Sequence, residues 1–104
     1  MKSHTFRKKW GQNFLQDMNI IRKIVAQLNP QPHEVVIEIG PGQGALTFEL
    51  AKYVKTVHAI EIDPILVDYL KKYAPKNVNI IHHDILDLNM HQFSNNVKII
   101  GNLP

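Results

Sequence analysis

Cysteine is absent from these 104 residues. That excludes disulfides, thiol nucleophiles and thiolate metal ligands, and it suits a cytoplasmic protein. No apolar run approaches the roughly 18 residues of a membrane span. The N-terminus has no apolar h-region, so no secretory signal is expected. Repeats and low-complexity tracts are missing too. Acid is scarce at the start: residues 1–23 hold Asp17 alone against Lys2, Arg7, Lys8, Lys9, Arg22 and Lys23. The other 81 residues reverse the balance, with six lysines against eight acids. The net charge of +3 is therefore a basic N-terminal arm attached to a slightly acidic body. Such an arm is either a solvated tail or a contact for nucleic-acid phosphates.

What is present fits one domain with a modest core; 44% apolar residues is ordinary for a globular chain. Asp17 is placed to cap a helix over 18–28, where Ile20, Ile21, Ile24, Val25 and Leu28 share one face; Pro30 and Pro32 end it. VVIEI (35–39) reads as a buried parallel strand. A helix is expected after GPGQG (40–44), running to about Val54. TVHAIEI (56–62) is a second strand. Asp63 and Pro64 then start a helix to about Tyr73. VNIIH (78–82) is a third strand, a polar stretch with Asp84 and Asp87 follows, and VKIIG (97–101) is a fourth. Alternating strands and helices predict an α/β fold with a parallel sheet and flanking helices. In such sheets ligands bind beyond the carboxyl ends of the strands. Every unusual loop falls at one of those ends.

Only five glycines occur, and Gly40, Gly42 and Gly44 stand together between the first strand and its helix. Glycines there permit a sharp turn and close approach of a ligand to the backbone. The spacing is one residue short of the dinucleotide fingerprint G-x-G-x-x-G, so a pyrophosphate cradle is not matched. Glu61, 21 residues after Gly40, ends the second strand where a carboxylate can accept both hydroxyls of a ribose. Asp84, after the third strand, is either a turn cap or an acceptor for an adenine amine. A ribose and an adenine acceptor without a phosphate cradle point to an adenosyl ligand such as S-adenosylmethionine.

RKKWGQNFL (7–15), EIGPGQGALT (38–47), EIDP (61–64), HHDIL (82–86) and GNLP (101–104) together resemble the ribosomal RNA adenine dimethyltransferases, in the family's order and over the whole chain. The match is nearest to the bacterial small-subunit (KsgA) type. The resemblance implies the N-terminal half of a Rossmann-like class I methyltransferase. It divides the chain into a basic arm with the QNFL motif (1–16) and a partial methyltransferase domain (17–104). It also implies S-adenosylmethionine as cofactor and dimethylation of the N6 amines of two adjacent adenosines near the 3′ end of 16S rRNA, in the small ribosomal subunit. Asn13 and Leu15 match residues that close over the cofactor's methionine end. Gly40 matches the glycine-loop contact, Glu61 the ribose acceptor and Asp84 the adenine contact. Asn102, Leu103 and Pro104 match the catalytic Asn-Leu-Pro loop, Asn102 also touching the cofactor. Lys2, Arg7, Lys8 and Lys9 are the expected RNA-phosphate contacts. A family member continues with an aromatic after that loop, further strands and a helical domain, so residues 1–104 alone are expected not to transfer methyl groups.

Other readings compete. A large-subunit 23S rRNA methyltransferase is opposed by Asn-Leu-Pro and by the Lys-Lys-Trp-Gly-Gln lead-in. A non-catalytic RNA-binding relative would lack the aromatic after Pro104. A nucleotide-binding oxidoreductase half-domain conflicts with the glycine spacing and QNFL. Metal binding through His82, His83, Asp84 and His91 is disfavoured, because adjacent residues of a strand point to opposite faces. No metal and no membrane contact are expected.

Overall fold

The computed structural model describes residues 17–93 and 96–101. Helix α1 (Met18–Leu28) starts where the Asp17 carboxylate accepts the Asn19 N–H at 2.9 Å. It ends at Asn29, whose left-handed backbone (φ 46°) returns its N–H to Val25 and Ala26. Strand β1 (Val35–Ile39) leads into α2 (Ala45–Leu50), β2 (Thr56–Glu61), α3 (Pro64–Tyr73), β3 (Val78–His82) and β4 (Val97–Gly101). Asp63 caps α3 by accepting the Ile65 N–H at 2.9 Å, and Pro64 fills the first turn, where no N–H is required.

All pairings are parallel and the strand order is β3-β2-β1-β4. Val36 lies between Val57 and Lys98, and Glu38 between Ala59 and Ile100. One sheet face, with Val36, Val57, Ala59 and Val78, packs on Ile21 and Val25 of α1 and on Leu46 and Leu50 of α2. Ala74, which closes α3, joins this core. The opposite face carries Ile37, His58 and Asn79 in register. There the connection from β3 to β4 crosses over: the Phe93 ring lies 5.0 Å from that of His58, whose Nδ1 accepts from Asn79 at 3.1 Å. Burial holds the His58 ring below the ordinary histidine pKa. Ile99, beside Ile37 in the register, is 56% exposed.

Lys98 ties β4 to the start of the domain. Its ammonium donates to the Leu28 carbonyl (2.8 Å) and pairs with the Glu34 carboxylate (3.0 Å). Because β2 and β3 build outward from one side of β1 and β4 adds to the other, the strand order reverses between β1 and β4. In open parallel sheets ligands bind at the carboxyl ends of the strands beside such a reversal.

Two boundaries differ from the sequence expectation. The second helix stops at Leu50, not near Val54. The amides of Lys52 and Tyr53 close i→i+3 bonds to Glu49 and Leu50, and the Asn77 side chain donates to the Ala51 and Val54 carbonyls (2.8 and 3.2 Å). A helix could not continue while a side chain from the start of β3 takes those acceptors. The polar stretch after β3 forms two 3₁₀ turns, Ile85–Asp87 and Met90–Gln92, capped by Asp84 and Asn89.

Candidate functional site: the carboxyl edge of the sheet

Three backbone reversals build the rim above β1. Gly40, Gly42 and Gly44 all have positive φ (73°, 62° and 89°), a region that side chains rarely adopt. The Gly40 N–H still reaches the Ile60 carbonyl at 2.9 Å, so the loop leaves the sheet only after β1 has paired with β2. Gly44 also meets a spatial limit. A Cβ there would stand 2.8 Å from both Leu70 Cδ2 and Phe48 Cζ. The glycine loop is therefore wedged between α2 and α3.

Glu61 faces this loop from the end of β2. It is 5% exposed, buried at the rim and not a surface acid. Oε2 accepts the Asp63 N–H at 3.0 Å, and Oε1 accepts a long bond from the Gly42 N–H at 3.4 Å. A carboxylate oriented by backbone donors keeps further acceptor capacity, since each oxygen has two lone pairs. Asp84 is half-buried at the end of β3, and its Oδ1 accepts the Leu86 N–H at 3.0 Å. It is thus a turn cap, and its carboxylate is still available to a second donor.

The described loop residues 40–44 carry no lysine or arginine, the usual partners of a phosphate. Backbone turns with positive φ, a buried strand-end carboxylate and a second carboxylate form an acceptor-rich edge. That set of acceptors fits a phosphate-free adenosyl group. Gly40, Glu61 and Asp84 sit at the carboxyl ends of β1, β2 and β3, along one edge. Asn13, Leu15, Asn102, Leu103 and Pro104, and the arm residues Lys2, Arg7, Lys8 and Lys9, lie outside the described residues.

Two of the described histidines bond backbone carbonyls. His82 Nε2 donates to the Ile62 carbonyl (3.0 Å), and His83 Nδ1 to the Asp84 carbonyl (2.8 Å). Among the described residues no group of three or more His, Cys, Asp or Glu side chains could hold a metal. No helix among them is long and apolar enough to cross a membrane.

One residue escaped the sequence reading. Glu38 lies inside VVIEI, which reads as an apolar strand, yet it is fully buried and bonded to Thr47. The available signal was a lone carboxylate in an otherwise apolar strand, two positions before the first glycine.

Comparison with known proteins places the chain. The family model described as ribosomal RNA adenine dimethylase matches residues 3–104. Ribosomal RNA small subunit methyltransferase A of Neisseria gonorrhoeae is 47% identical across the full chain, which spans 40% of that protein's length. Among solved structures, a dimethyladenosine transferase from Plasmodium falciparum superposes with TM-score 0.71 at 27% identity, covering 83% of this chain and 32% of that one. The 23S rRNA methyltransferase ErmE gives TM-score 0.70 at 30% identity, covering 88% and 37%. The fold is that of the class I methyltransferases, and the chain belongs to the ribosomal RNA adenine dimethylase family.

Proposed function

We propose that the full-length protein uses S-adenosylmethionine to dimethylate the N6 amines of two adjacent adenosines near the 3′ end of 16S rRNA, in the cytoplasm, on the small ribosomal subunit. The observation that carries this reading is Glu61, a carboxylate 5% exposed at the end of β2, facing three glycines of positive φ at the end of β1. The family model and the small-subunit name of the Neisseria relative support it. The 30% identity to ErmE is the weaker pointer, so the large-subunit substrate takes second place.

When bound, the cofactor supplies an electrophilic sulfonium methyl. The chain's own residues hold and aim. Glu61 accepts the ribose hydroxyls, Asp84 accepts from the adenine amine, and Gly40 brings backbone close to the ligand. Asn13 and Leu15 close over the methionine end.

The target amine is a poor nucleophile because its lone pair is delocalised into the adenine ring. The side-chain oxygen of Asn102 and the Leu103 carbonyl each accept one of its N–H bonds, within the Asn-Leu-Pro motif that Pro104 completes. That localises the lone pair and directs it at the methyl group, which is positioning combined with electrostatic stabilisation. No general base of shifted pKa is required, since the amine becomes acidic only after transfer. Lys2, Arg7, Lys8 and Lys9, on the 1–16 arm, contact RNA phosphates, while 17–104 supplies the methyltransferase half-sheet.

The test is transfer of labelled methyl groups by the full-length protein to undermethylated small and large ribosomal subunits. Dimethyladenosine at two neighbouring positions of the small-subunit RNA is expected. Label in large-subunit RNA alone would transfer the assignment to the second substrate.

A further inference from the structure

Glu38 is a buried titratable group for which the binding edge described above has no use. It sits in β1 at 0% exposure, on the sheet face that Ala59 shares and that Glu61, two residues further along β2, shares in turn. Thr47, in the first turn of α2, donates its hydroxyl to Oε1 at 2.5 Å. Oε2 has no hydrogen-bond partner among the described residues. The groups around it come from three elements: Thr47 from α2, Ala59 and Glu61 from β2, and Ile100 from β4. Glu61 is the one charge that acts on it among the described residues, and it is of like sign.

An anion there would be desolvated, half-bonded and repelled, so the neutral acid is favoured. Burial pushes the Glu38 carboxyl up to about 7; the Thr47 bond opposes this and the Glu61 charge adds to it. The geometry therefore holds an acid that is poised to respond to any positive charge brought to the same edge.

We propose that Glu38 couples cofactor charge to a proton: its neutral acid form, favoured at the base of the glycine loop, releases its proton to solvent when a cationic adenosyl cofactor occupies that loop. The O–H bond of Glu38 breaks, its electron pair stays on the carboxylate, and the proton goes to buffer. The inference rests on the S-adenosylmethionine reading given above. Because the Glu38 carboxylate is fully buried, little water screens its attraction to a sulfonium charge. The spent cofactor, S-adenosylhomocysteine, lacks the sulfonium charge, so Glu38 regains its proton and this attraction disappears. Glu38 thereby favours the charged cofactor over the spent one.

The experiment is calorimetric titration of the full-length protein with S-adenosylmethionine at pH 6 and 7, in buffers of different ionisation enthalpy. Below pH 7 the cofactor's own amine stays protonated. Release of up to about half a proton per site is expected at pH 7, with affinity roughly fivefold weaker at pH 6. S-adenosylhomocysteine should release less. Glu38→Gln, which keeps the size and the acceptor for Thr47, should bind with neither proton release nor that pH dependence.

Equal proton release by wild type and Glu38→Gln overturns the proposal, as does cofactor binding without any release. A Glu38→Gln variant that fails to fold is replaced by the Glu38 carboxyl resonance in ¹³C NMR of the wild type. Its titration midpoint should fall on adding S-adenosylmethionine, and an unmoved midpoint overturns the proposal. Absence of any cofactor binding would instead overturn the reading on which it stands.

Discussion

The hydroxyl of Thr47 donates to Glu38 Oε1 at 2.5 Å, inside the core between β1 and α2, and it is the hydrogen bond found on that carboxyl among the described residues. Replacing it by the isosteric Thr47→Val leaves both carboxyl oxygens of Glu38 unsatisfied. The loss of stability should be about 1–3 kcal/mol, the cost of a buried group left without its partner. It should also depend on pH, with a definite sign. Glu38 has a folded-state value raised to about 7 from an ordinary 4.5. Its contribution to stability is therefore fully present below the unfolded value and is lost as pH rises through the folded one. The variant raises the folded value further, because the Thr47 bond is what lowers it. Urea midpoints should show a larger penalty at pH 8 than at pH 5. A penalty that is the same at both would mean that Thr47 does not support the anion.

Gly44 tests the wedge between α2 and α3. Its φ of 89° and the 2.8 Å approach of a built Cβ to Leu70 and Phe48 both resist a side chain. Both obstacles are ends of flexible side chains and can yield, so the backbone conformation decides. Gly44→Ala should cost about 1–3 kcal/mol from the left-handed strain. A denaturation midpoint equal to that of the wild type would contradict the loop geometry.

Lys98 offers a test by titration. The Glu34 carboxyl is held below its ordinary value first by the Gln31 N–H, at 2.6 Å, and then by Lys98. Lys98→Met should raise the Glu34 titration midpoint only part of the way, since the Gln31 bond persists. The stability that Glu34 contributes is present above its unfolded value and fades as pH falls through the folded one, so the variant should lose least in acid. NMR titration of the Glu34 carboxyl would show this. An unchanged midpoint would mean that Lys98 does not stabilise the Glu34 carboxylate.

Much of the fold was legible because its causes are local. The helix starts at Asp17 and Asp63 are read from a capping carboxylate two residues before the N–H it binds. The strands are short runs rich in β-branched residues, and VVIEI, apolar but for one carboxylate, announces a buried parallel strand at the centre. The end of α2 was not legible, because Asn77 stops it from 26 residues away through the Ala51 carbonyl. A long-range acceptor leaves no local mark. Glu38 was hidden for a related reason: the hydroxyl that bonds it, Thr47, comes nine positions later, and the lone carboxylate in an apolar strand was the one local mark. Gly40, Glu61 and Asp84 were legible as an edge because parallel strands put all their carboxyl ends on one side of the sheet.

The basic arm should act on RNA. With Lys2, Arg7, Lys8 and Lys9 neutralised together, the slope of log affinity against log salt for small-subunit RNA should become shallower. The change should be about 0.7–0.9 for each RNA phosphate that the arm no longer pairs with. Cofactor affinity should stay the same. A salt slope identical to that of the wild type would mean that the arm pairs with no phosphate.

The most direct measurement concerns Glu61. Its buried carboxylate, beside the glycine loop, is the proposed acceptor for the cofactor's ribose hydroxyls. Calorimetric binding of S-adenosylmethionine to the full-length protein and to Glu61→Ala should differ by roughly tenfold to a hundredfold, the effect of losing charge-assisted hydrogen bonds of about 1.5–3 kcal/mol. A folded Glu61→Ala variant that binds the cofactor as tightly as the wild type would contradict the assignment of this edge as the cofactor site.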